Sequence, residues 1–333
     1  METKKILLPL MAFALLFAAC EDDKQQTKGR KEIEEKPVKK VDFPAFSEDS
    51  AYAYTAAQVA FGPRVPGTMA HVACGDWLEA KLKQFGAEVI SQTGTVTAYD
   101  GQELPMRNII GQYAPEKPDR VLLFAHWDTR PFADKDEDRQ TQPIDGANDG
   151  ASGVAVLLEL ARMFQLQSPD VGVDIIFFDV EDYGAPEGGM EQGEYTDWCL
   201  GSQYWGNNPH KPGYTAKYGI LLDMVGGKDA VFPMEGTSMY FASRIVRKVW
   251  KVAADMGYSN YFINKTSGET IDDHLFVNQL ANIPSIDIVH FHTEGEHLGY
   301  GKFHHTHEDT MDSIDKTVLG MVGKVVAHVV YHE

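Results

Sequence analysis

The chain opens on Lys4-Lys5, runs through an unbroken apolar stretch over 6–18, and reaches Ala19 and Cys20. Positions 21–41 then carry charged and polar side chains with almost nothing apolar between them. From Phe43 onward hydrophobic and polar positions recur with regular periods. Two helices are predicted first, over 47–61 and 68–85. The pattern gives Tyr52, Ala56, Val59 and Ala60 as the buried face of the first, and Gly86 stands just past the second as a C-cap. Gly62-Pro63 and Pro66-Gly67 break the chain between them. Alternation over 89–98 and 106–113, with Asp100-Gly101 between, predicts two strands and a turn.

Past position 120 the rhythm changes. Continuous apolar runs at 121–125, 173–178 (interrupted by Asp174), 219–222 and 283–289 alternate with helical stretches, clearest at 151–164 and 239–256, and a helix over 318–331 closes the chain. Strands without a polar face must be covered on both sides, so the expected fold is α/β: a mainly parallel sheet between helices, built as one domain over 43–333.

The front end is of a different kind. A basic start, a short apolar run and small residues at its end describe a secretory signal over 1–19, too short for a membrane span. The cysteine directly after Ala18-Ala19 resembles that of a bacterial lipoprotein signal, which is cut before the cysteine and makes Cys20 the lipidation site. Residues 20–42 have too little to bury and are expected to be a disordered charged tether. Cys74 and Cys199 then remain, without a disulfide spacing signature, as two free thiols.

Charge narrows the function. With 30 basic against 49 acidic residues the chain carries −19, which repels phosphate backbones and argues against a nucleic-acid partner. The sharper signal lies in the residues directly after each apolar run, because ligands in open α/β sheets bind beyond the carboxyl ends of the strands. His126-Trp127-Asp128 comes after the first run, Glu181-Asp182 after the second and Asp223 after the third. The fourth leads into a loop with His290, His292, His297, His304, His305 and His307, half of the twelve histidines. Asp149 precedes Gly150 at the start of a helix. Singly, each has a bland reading: a core histidine, a helix cap, solvated carboxylates, a surface loop. Together they converge on one sheet edge as a carboxylate–imidazole set suited to catalytic zinc, and no thiolate pattern for a structural zinc is present.

Taken with Asp272-Asp273-His274 and the run from His305 to Thr310, these segments resemble the zinc-dependent M28 aminopeptidases and their relatives, the glutaminyl cyclases of bacteria and animals. The resemblance extends from 126 to 310. It implies a three-layer α/β sandwich with a central mixed, mostly parallel sheet. It also implies a zinc held by Asp149, Asp182 and His305, one per chain, with Glu181 as general acid/base. Asp273 would stand in the proton network around the base, and His126 and Asp223 beside the metal, with Asp223 a further catalytic candidate. Trp198 falls where an aromatic pocket wall is expected, although core packing would explain Trp198 or Trp205 equally. The activity implied is cyclisation of N-terminal glutaminyl residues of peptides and exported proteins to pyroglutamate with loss of ammonia. The alternative is a two-zinc aminopeptidase. The expected partners are such peptides alone, with membrane contact only through the lipid anchor and a monomeric enzyme.

Overall fold

Ser47 accepts a hydrogen bond from Ser50 N through its Oγ and so starts helix α1 (Glu48–Val59); Thr68 does the same for His71 N at the head of α2 (Met69–Gln84). This computed structural model describes residues 42–186, 195–295 and 298–333. The signal, most of the tether, Cys20 and His297 lie outside the described residues. The chain continues through β1 (Glu88–Thr97), β2 (Glu103–Tyr113), β3 (Arg120–His126), α3 (Ala151–Leu166), β4 (Gly172–Phe178), α4 (Leu200–Asn207), β5 (Tyr218–Asp223) and β6 (Phe232–Met234). After these come α5 (Gly236–Asp255), β7 (Phe262–Thr266), α6 (Asp273–Ala281), β8 (Ser285–Val289) and α7 (Lys316–Tyr331).

Six strands form one sheet in the order β1-β2-β4-β3-β5-β8. β1, β2 and β4 pair antiparallel in turn, and β4, β3, β5 and β8 run parallel. The mixed, mostly parallel three-layer sandwich is thus observed. Alternate residues of the central strands supply two different cores. Val121, Leu123 and Ala125 of β3 and Val173, Ile175 and Phe177 of β4 face the larger one, with α1, α2, α3, α5 and α7. Leu122, Phe124, Ile176 and Phe178 face the smaller one, which includes Trp205 of α4 and Val277 of α6. A period of two within an all-apolar strand is what coverage on both faces requires. Trp205 is core, packed edge-on to Phe178, and its Nε1 donates to His210 Nδ1.

Two expectations need correction. The buried residues of α1 are Ala51, Thr55 and Gln58, while Tyr52, Ala56 and Val59 are half-buried and Ala60 is exposed. Polar side chains can sit there because their donors are engaged: Thr55 Oγ1 donates to Ala51 O, and Gln58 Nε2 donates to Tyr54 O and to Ala151 O across to α3. The helix expected over 239–256 starts earlier, where the Glu235 side chain caps Thr237 N and Ser238 N, and is kinked at Ala242.

Helix α3 positions the site. Its N-cap is Gly150 at φ 99°, with no side-chain cap, so Asp149 is not spent on capping. A Cβ on Gly150 would lie 2.4 Å from Asp128 O, and one on Gly153 would lie 2.0 Å from Leu222 O. Only glycine lets the start of α3 press this closely on the ends of β3 and β5.

Candidate active site

The carboxyl ends of β3, β4, β5 and β8 and the N-termini of α3 and α6 meet at one edge of the sheet. Beyond β4 the chain turns sharply. Asp179 accepts from Arg107 N and Val180 N and is bonded to His71 Nε2 at 2.8 Å, while His71 stacks on Trp127. Asp128, beyond β3, then grips the next two peptides: its Oδ1 accepts from Glu181 N at 3.1 Å and its Oδ2 from Asp182 N at 3.2 Å. Four non-glycine residues of this edge have left-handed backbones: Val180, Cys199, Met224 and His305, at φ 53°, 59°, 49° and 58°. Such conformations cost energy and persist where the surroundings over-determine them.

The expected site residues converge. His126 Nε2 lies 3.2 Å from Asp149 Oδ1 and 3.1 Å from Asp223 Oδ1, and its Nδ1 is 3.8 Å from Glu181 Oε2. His305 Nε2 lies 3.1 Å from Asp182 Oδ1 and 3.8 Å from Asp149 Oδ2. All six are buried. Burial pushes the carboxyls of Glu181 and Asp182 upward against the pull of His126 and His305, and takes Asp223 to about 6. Asp149 alone is held low: burial opposes ionisation, but the neighbouring His126 outweighs it. Crowded buried carboxylates are stabilised most directly by a cation. Asp149 Oδ2 and Asp182 Oδ2 are buried without a hydrogen-bond partner, and both carboxylates neighbour the Nε2 of His305. Two carboxylates and one imidazole with oxygens to spare fit a zinc that keeps a position open.

Asp149, Glu181, Asp182, Asp223 and His305 line a cavity of about 340 Å³, with Trp198, Arg130, Ile271 and Tyr300 among its walls. Trp198 stacks parallel to His305 at 6.1 Å between ring centres, and the Arg130 guanidinium lies over the Trp198 ring at 4.8 Å. His304 stacks on His305 at 3.6 Å, and Tyr300 lies tilted against His304 at 4.6 Å. The ring of His305 is thereby fixed within an aromatic column.

Sequence reasoning missed several contributors. Asp272 lines the cavity and also caps α6, accepting from Asp273 N at 2.6 Å; Asp273 is fully buried one position further on. Burial and Asp223 take Asp272 to about 7, and burial and Asp272 push Asp273 well above the carboxylate range. Cys199 Sγ donates to Glu181 Oε1 at 3.2 Å, and Cys199 N donates to Glu181 O. Cys74 and Cys199 are both free. Arg130 donates to both oxygens of Asp134 and, through Nη1, to Asp182 O. Asp273 itself was expected from the resemblance. The Asp272-Asp273-His274 segment of that resemblance and the polar residue just ahead of a helix were the signals for Asp272; Cys199 and Arg130 carried none.

The remaining histidines of the loop separate by geometry. His290 and His292 bond to each other through their Nε2 atoms, 2.9 Å apart. His307 Nδ1 is engaged by Asp136, and His304 Nδ1 by Lys135 Nζ at 2.6 Å.

A parallel-sheet edge presenting a buried carboxylate–imidazole cluster at the base of a pocket defines a metal-dependent enzyme of the zinc exopeptidase fold. The model of peptidase family M28 matches residues 108–330, and the chain belongs to that family. Membership implies zinc as the metal of this cluster. The chain is 52% identical to a glutaminyl cyclase of Bacteroides thetaiotaomicron solved with N-acetylhistamine. That match covers 88% of this chain and 100% of that one, with a TM-score of 0.85. A Zn-dependent exopeptidase from Parabacteroides distasonis matches with the same identity, coverage and TM-score. Aminopeptidase YwaD of Bacillus subtilis is 28% identical over 268 residues, 75% of this chain. The chain spans between 31% and 50% of the length of the curated relatives it matches.

Proposed function

We propose that this protein is a glutaminyl cyclase: it closes the N-terminal glutaminyl residue of a peptide into pyroglutamate and releases ammonia, with one zinc per chain. The observation that carries the reading is the match, at 52% identity over 88% of this chain, to the whole of a solved glutaminyl cyclase. Asp149, Asp182 and His305 would hold the zinc, which supplies Lewis acidity toward the γ-carboxamide oxygen. The α-nitrogen of glutamine attacks its own carboxamide carbon, a C–N bond forms, and the bond to the departing nitrogen breaks. Glu181 takes the proton the α-amine gives up and returns it to the leaving ammonia. The Cys199 thiol, donating to Glu181 Oε1, holds that carboxylate in place, and Asp223, Asp272 and Asp273 supply the acidic surroundings in which it exchanges protons. Trp198 and His126 bound the space left for the curled side chain, and burial of the cluster keeps water from competing with the amine.

A two-zinc aminopeptidase is the second reading, favoured by one observation: ligand atoms of His126, Asp149 and Asp223 lie close enough to share a metal ion. The two readings part on products and stoichiometry. Incubation with a Gln-initiated peptide should release ammonia and no free glutamine, with elemental analysis giving one zinc per chain. Free amino acid and two zincs would replace the cyclase with the peptidase.

We also propose an exported, lipid-anchored monomer whose substrates are exported proteins and peptides that begin with glutamine. The apolar run before Cys20 and the charged spacer after it support this reading. No helix among the described residues is long and apolar enough to cross a membrane, so attachment would rest on the lipid. Cys20→Ser should move the enzyme from the detergent to the aqueous phase with kcat unchanged. Continued partitioning into detergent would remove the anchor.

A further inference from the structure

Within the run from His305 to Thr310, Asp309 closes a His-Thr-x-x-Asp stretch that begins at His305, and the chemistry above gives it no part. Asp309 is 1% exposed, and its own loop ties it to His305 through Asp309 N donating to Thr306 O. Its side chain reaches into another loop. Oδ1 accepts from Asn148 N at 2.7 Å and Oδ2 accepts from Asp149 N at 3.0 Å; Asp309 O also accepts from Ala147 N. Asn148 passes the connection on, its Oδ1 accepting from Gly226 N at 2.9 Å, three residues beyond Asp223.

We infer that Asp309 is the positioning residue of the metal centre, a strut that sets the separation of Asp149 from His305. The inference rests on the reading that these two residues hold zinc. A strut is needed because the two ligands arrive from remote parts of the chain and no strand pairing joins their loops. Each carboxylate oxygen of Asp309 accepts from one of two adjacent peptides of the Asp149 loop, and Oδ1 also from Ser313 Oγ, so neither loop can shift along the other without leaving buried N–H groups unpaired. The geometry is thereby fixed before the metal arrives. Outer residues that orient metal ligands contribute roughly 10–100-fold in metal affinity.

The test is zinc affinity by chelator competition on the full chain. Asp309→Asn keeps the size but turns one acceptor into a donor facing an N–H. It should weaken zinc binding by roughly 10–100-fold. Asp309→Glu keeps the charge and both acceptors on a longer stem, and should show the same direction of loss. Each is read on the variant that folds without zinc, as judged by its metal-free melt. Val326→Ala, on the buried face of α7, is the control. It should lower the metal-free Tm and leave the zinc Kd unchanged, because a merely structural loss does not act on the ligands. Wild-type zinc affinity in a folded Asp309 variant overturns the strut, as does an equal loss of affinity in the control. If Asp149→Ala and His305→Ala themselves retain zinc, it is the ligand reading that fails; if they lose zinc and the Asp309 variants do not, only the strut fails.

Discussion

Glu181→Gln is expected to leave a folded, zinc-loaded protein whose kcat has fallen by roughly two to four orders of magnitude, the usual contribution of a positioned acid/base. The substitution keeps the length and one acceptor oxygen, so Cys199 Sγ can still donate to it and the turn beyond β4 keeps its Asp128 grip. What is lost is a group that can take a proton from the amine and return it to ammonia. Removing a carboxyl from a crowd that burial already pushes upward should also raise the metal-free Tm slightly. Elemental zinc, thermal melting and ammonia release on one preparation separate the outcomes. Wild-type turnover would end the proposed mechanism, and a zinc-free mutant would make Glu181 a ligand.

Alanine at Asp149, Asp182 or His305 should do the reverse: zinc content collapses, and turnover goes with it. The loss should exceed the roughly 10–100-fold that residues behind the ligands contribute. His307→Ala should retain the metal, since its Nδ1 is committed to Asp136. The wild type without zinc offers a further check. Glu181, Asp182, Asp223 (about 6) and Asp272 (about 7) all stand above their ordinary values, with burial the first cause of each. Between about pH 4 and 7 the folded metal-free protein therefore binds more protons than the unfolded chain, and its stability declines as pH rises through that window. Zinc, by pairing with these carboxylates, should flatten the slope. A zinc-free melt independent of pH across this range would contradict the picture of mutual repulsion.

The central strands and the ends from which the site hangs were legible because a doubly covered sheet writes itself as apolar runs, and the polar residue after each run has few other reasons to be there. His126, Glu181, Asp182 and Asp223 were found in that way. What the sequence concealed depended on register and on distant partners. Asp272 and Asp273 are adjacent and chemically alike, and only the cap of α6 turns Asp272 into the cavity. Gln58 is buried because a carbonyl of α3 waits for it, a partner no local pattern announces. Short elements such as β6, and the kink of α5 at Ala242, leave no periodic trace.

The left-handed backbones at Val180, Cys199, Met224 and His305 bear on what selection for heat resistance would do to this chain. Each costs roughly 1–3 kcal/mol. Glycine would not recover it: Val180, Cys199 and Met224 are buried side chains whose removal leaves a cavity, and His305 is one of the residues assigned to the zinc. Glycine there would exchange a rigid corner for a loose one beside the residues that grip substrate and metal. A screen scoring survival at high temperature alone would therefore gain nothing at these positions. A screen scoring turnover after heating would leave them untouched and gather its gains in helices remote from the pocket.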